Sequence, residues 1–199
     1  MTDDKSDEGN DAIDNDPIAG MYAQEGSDTH EANVPEVGAG DEEPETETGT
    51  FYVKHVEEAA VTLHEVETTQ IFTLVENPDL ERHEILEASL VAQPPMQVSY
   101  RIEELESRRK IPVEASEEPP TSNAMKVASE LDEGDAIPIE REGDGEIHII
   151  RVPPEHVNEA AEDILGDEMT YKNAARYDVE CVEVRSDEDE GVVSIRYLP

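Results

Sequence analysis

Tryptophan is absent from this 199-residue chain, phenylalanine occurs twice and cysteine once. The single Cys181 excludes an intramolecular disulfide and any zinc site built from several cysteines of one chain. Lying in the apolar run Val179–Val184, it reads as a small hydrophobe rather than a nucleophile. With only 4% aromatic residues, a core has to be assembled from Val, Ile, Leu and Ala. Positive charge is equally scarce: 14 Lys and Arg stand against 52 Asp and Glu, and only five of those cations are lysines. No run approaches the ~18 apolar residues that cross a bilayer. Met1–Asp7 is acidic and has no basic or apolar stretch of a secretory signal. The expectation is a cytoplasmic protein with no membrane partner.

The formal net charge of -38 is spread along the whole chain. Residues 1–48 hold 16 acids and one base, Lys5, which leaves 36 acids and 13 bases, a net -23, on the rest. Self-repulsion on that scale strains a compact state in dilute buffer, whereas at about 1 M salt the Debye length falls to roughly 3 Å and the repulsion is screened. Scattered rather than clustered acids favour salt adaptation over docking to one basic partner.

Residues 1–48 lack the apolar content that offsets chain entropy and are expected to be a disordered acidic tail. Within them Pro17–Tyr22 is an apolar island of the kind found in short docking motifs. From Gly49 the pattern changes to short alternating runs: Phe51 and Val53, Val61 and Leu63, Ile71–Val75, and Ile85–Val91. Met96, Val98, Tyr100 and Ile102 alternate with polar residues after Pro94–Pro95, which predicts a central strand with those four on its apolar face. Ile111 and Val113 mark a last short strand. The reading is α+β: a small antiparallel β-barrel over 49–116, of the oligonucleotide-binding (OB) or SH3-like kind, followed over 117–199 by a β-α-α-β-β unit. In the second unit Thr121, Ser122 or Asn123 caps a helix over Ala124–Leu131. A hairpin turns at Gly143–Gly145, and Val157, Ala160, Ala161 and Ile164 share one face of a helix ending near Gly166. A shorter helix covers Tyr171–Arg176, and Val179–Arg185 with Val192–Leu198 forms a closing hairpin.

Chemistry is hard to find in such a chain. With acids at 52 of 199 positions, carboxylate pairs occur by chance and identify no acid–base site. His55, His64 and His83 would meet on neighbouring strands, but their spacing matches no metal motif. Asp187–Glu190 lacks the glycine and terminal glutamate of a calcium loop and reads as a solvated turn. No phosphate loop, G-x-S-x-G or H-E-x-x-H is present, so no catalytic, cofactor or metal residue is assigned. The one basic cluster, Arg108, Arg109 and Lys110, together with the rings of Tyr52, Phe72 and Tyr100, would make a nucleic-acid surface if the rings were exposed. Phosphate contacts weaken steeply with salt, which counts against it.

The succession Gly49-Thr50-Phe51, Glu76-Asn77-Pro78, Ala92-Gln93-Pro94-Pro95-Met96, Gly145-Glu146-Ile147-His148 and Val192–Pro199 resembles an uncharacterised protein family of halophilic archaea, over about residues 49–199. The resemblance implies a halophilic archaeal source and a cytoplasmic location, and carries no activity to any residue. The functional expectation is therefore a salt-adapted, non-enzymatic interaction or regulatory module with a protein partner. A nucleic-acid-binding barrel stands second and an undetected hydrolase or metalloenzyme third.

Overall fold

Thr46–Val56 (β1) has both faces covered at its middle, and this organises the molecule. The computed structural model describes residues 44–141, 143 and 145–199. Phe51 and Val53 point one way, into a core with Leu63, Phe72, Leu86 and Leu90. Tyr52, between them, points the other way into a second core with Ile85, Tyr171, Val182 and Tyr197. Such alternation places successive side chains on opposite faces of a strand. Burial of each of these large side chains is worth about 1.5–3 kcal/mol.

β1 pairs antiparallel with Val61–Glu65 (β2) and with Glu84–Ala92 (β4). β2 pairs with Ile71–Leu74 (β3), and β4 with Tyr100–Lys110 (β5). The order β1-β2-β3-β5-β4 thus returns to its start. The link between β3 and β5, however, is one parallel residue pair, Leu74 with Tyr100. The expected antiparallel OB- or SH3-like β-barrel is corrected accordingly: the sheet is mixed, and no ladder runs along that seam.

The second sheet has the order β6-β9-β10-β8-β7. Its strands are Val113–Ala115 (β6), Ala136–Glu140 (β7), Glu146–Arg151 (β8), Cys181–Asp187 (β9) and Val192–Leu198 (β10). Three helices accompany it: Ser122–Ala128 (α1), Val157–Gly166 (α2) and Glu168–Arg176 (α3). This is richer than the expected β-α-α-β-β unit. Moreover, β6 lies parallel to β9 rather than completing the first sheet. Thr121 caps α1 as expected, its Oγ1 accepting from the Ala124 amide at 3.3 Å. Val157, Ala160, Ala161 and Ile164 pack on Val184 and Val193, so the face predicted for α2 is the buried one. α3 starts three residues earlier than predicted because Asp167 caps it, accepting from the Thr170 amide at 3.1 Å. At Gly145, with φ +95°, a β-carbon would lie 2.2 Å from the Tyr197 carbonyl oxygen, so the turn into β8 needs glycine.

Two further expectations shift. Thr46–Thr48, expected in the tail, are strand paired with Ser89–Val91 of β4; residues 1–43 of the expected tail, including Pro17–Tyr22, lie outside the described residues. Met96–Val98 do not form strand: the Gln97 amide bonds back to the Gln93 carbonyl at 3.0 Å, and Gln97 sits at φ +54°. Period-two alternation holds only from Tyr100 onward, because a turn consumes the residues before it. Among the described residues no helix is long and apolar enough to cross a membrane.

Candidate interaction site

The residues singled out for nucleic acid are brought together only in part. Tyr52 and Phe72 are buried, Phe72 edge-on to Phe51 at 5.4 Å and to Tyr100 at 4.9 Å, so neither presents a face for stacking. Tyr100 is half-buried against the first core. Arg108 is 2.9 Å from Glu84 and donates to the Asp79 carbonyl at 2.7 Å. Arg109 meets Asp178 at 2.7 Å, and Lys110 pairs with Glu81. The basic triplet is committed to acids of its own chain.

The seam between β3 and β5 has a different character. Ile71 and Val75 at the two ends of β3 are 60% and 51% exposed, and Met96 and Val98, just before β5, are 75% and 68% exposed. The Val75 amide bonds the Tyr100 carbonyl at 3.1 Å, which holds Val75 beside the start of β5. Four of the six large exposed hydrophobics of the described residues thus flank one seam. Among the described residues no strand lies against the β5 edge that faces β3 beyond Tyr100, so no ladder of those residues takes its backbone donors and acceptors through Lys110. Exposed apolar groups therefore lie on both strands of a seam that has one paired residue.

Where the outer face of the first sheet meets α3, a polar knot forms that the sequence did not announce. The His64 ring, through Nδ1, bonds Glu168, the first residue of α3, across 104 positions. Lys54 reaches the other Glu168 oxygen at 2.9 Å, and Lys172, 1% exposed, lies 3.7 Å from the carboxylate. Burial alone pushes the Glu168 carboxyl pKa up, but Lys54 and His64 outweigh it and hold it below the ordinary range. Alongside, the Tyr52 hydroxyl and His83 Nδ1 are hydrogen-bonded at 2.9 Å, and the His83 ring stacks on Tyr171 at 4.3 Å. Burial pushes the Tyr52 hydroxyl up to about 12 and, with Arg82 and Lys110 adding to it, lowers the His83 imidazole.

The described histidines do not converge. His55 faces Glu57 at 3.3 Å, His148 bonds Glu146 at 2.8 Å, and His156 lies 3.3 Å from Glu159. Among the described residues no group of three or more His, Cys, Asp or Glu is gathered to hold a metal ion. In the turn after β9 the Glu190 amide bonds Asp187 at 3.0 Å, which occupies that acidic run locally.

A model of a protein family of unknown function (DUF5812) matches residues 47–186. No curated protein and no solved structure matches the chain.

Proposed function

The chain belongs to this family of unknown function, and we propose that it is a salt-adapted interaction module, not an enzyme, that takes an extended segment of a protein partner onto the open β3–β5 seam. The observation that carries this reading is the exposure of Ile71, Val75, Met96 and Val98 around a strand edge with one paired residue. A partner strand laid along β5 gains main-chain hydrogen bonds, and its alternate side chains gain the apolar rim. In molar salt this chemistry has an advantage. Screening removes most of the attraction between exposed charges, while burial of apolar surface is not screened.

The experiment is affinity capture from cell lysate in about 2 M KCl with the full chain and with a Met96→Ser/Val98→Ser variant, each with and without nuclease. These two side chains are exposed, so the variant keeps its fold. Capture of a defined protein by the native chain, lost in the variant and unaffected by nuclease, supports the reading. Equal capture by both chains contradicts it, and capture abolished by nuclease favours nucleic acid instead.

A further inference from the structure

A cleft of about 360 Å³ opens where the residues leading into β4 and the connection from β5 to β6 meet α3, walled by Pro112, Val113 and Tyr171 with Ile111, and rimmed by Arg82, His83 and Lys110. Three observations single it out. Among the described residues no carboxylate lines it, in a chain with 52 acids. Arg82 is exposed and has no carboxylate partner among the described residues, whereas Arg108, Arg109 and Lys110 each have one. The Tyr52 hydroxyl and His83 Nδ1 are hydrogen-bonded at 2.9 Å, which holds the His83 ring at the rim beside Arg82 and Lys110. The Tyr171 hydroxyl is turned away, donating to the Leu165 carbonyl at 3.0 Å.

We propose that this cleft binds a small amphiphilic anion, with a carboxylate or phosphate head on Arg82 and Lys110 and a flat apolar body on Pro112, Val113 and Tyr171. Arg82, without a carboxylate partner among the described residues, beside Lys110, which pairs with Glu81, matches an anionic head group, and mostly apolar walls match a ring or short chain. The stack of Tyr52 and His83 on Tyr171, with ring centroids 5.8 Å and 4.3 Å away, fixes the wall against which the body lies. This site is independent of the β3–β5 seam and of any partner there.

The test follows the His83 ring signals by NMR in the full chain, labelled at histidine, in about 1 M KCl. The probes are phenyl phosphate, phenylacetate and the neutral phenethyl alcohol. The His83 resonance is assigned by its loss in His83→Gln. The expected result is a saturable shift of the His83 signal by at least one anion, with the phosphate and carboxylate arms identifying the head group. Arg82→Gln should weaken that binding by about tenfold, the effect of one charge-assisted hydrogen bond. The neutral probe should bind more weakly than the anion. No shift of His83 with either anion overturns the proposal, as does equal affinity in Arg82→Gln or equal binding of the neutral probe.

Discussion

Leu74 and Tyr100 are the one residue pair through which β3 meets β5. Tyr100 also sets its ring 4.9 Å from that of Phe72, nearly perpendicular to it. The backbone of Tyr100 thus holds the seam while its side chain closes the end of the first core. Tyr100→Ala should destabilise the protein by about 2–3 kcal/mol, less than a fully buried aromatic truncation because the residue is half-buried. Urea unfolding at constant high salt measures it. A loss under about 1 kcal/mol would show that the ring does not support the seam.

On the proposed salt adaptation, the charge left on residues 49–199, 36 acids against 13 bases, should make folding depend on salt. Far-UV circular dichroism from about 4 M to 0.1 M KCl should show structure lost at the low end, where the Debye length exceeds the spacing of surface charges. Spectra unchanged across the range would remove salt adaptation from the account.

Glu168 and Lys172 should respond unequally to substitution. Glu168→Ala leaves Lys172, 1% exposed, and His64 without their carboxylate, and should cost about 3 kcal/mol or more. Lys172→Met leaves Glu168 still paired with Lys54 and His64 and puts an apolar chain in an enclosed position, so it should cost about 1 kcal/mol or less. Denaturant midpoints of the two variants compare them directly. Equal losses would mean that Lys172 is as important a partner to Glu168 as the reverse.

Burial, reinforced by Arg82 and Lys110, lowers the His83 pKa, and the groups facing its ring are Tyr52 and Tyr171. A histidine depressed in the folded state binds fewer protons there than when unfolded. Its contribution to stability is therefore present above the unfolded value of about 6.5 and is lost as pH falls through the folded value. Stability measured from pH 7 to 5 should fall less steeply in His83→Gln than in the native chain. Identical slopes would show that His83 titrates freely.

Sequence reasoning reached local features and missed those made by distant pairing. The α2 stripe Val157, Ala160, Ala161 and Ile164, the Thr121 cap and the β9–β10 hairpin rest on neighbours within a few residues, and each stands in the structure as read. The strand at Val113 was legible as a strand but not as a partner of β9, since nothing local encodes which edge a short strand joins. Tyr52 is a different case. Alternation put it opposite Phe51 and Val53, so it is either a core ring or an exposed platform, and the core reading stands because α3 and the second sheet cover that face. At the candidate site, Met96 and Val98 carried the right signal with the wrong meaning. An apolar alternation usually marks a core, and here the turn at Gln97 sends it to the surface. The bond between His64 and Glu168 had no signal at all, because in so acidic a chain every histidine has many candidate carboxylates.

Amide hydrogen exchange along Arg101–Lys110 tests the central claim most directly, in the isolated chain and in the complex with its captured partner. The account predicts that the β5 amides not bonded to β4 exchange rapidly in the isolated chain and become protected in the complex, as a partner strand supplies their acceptors. Slow exchange of those amides in the isolated chain, or exchange unchanged in the complex, would contradict it.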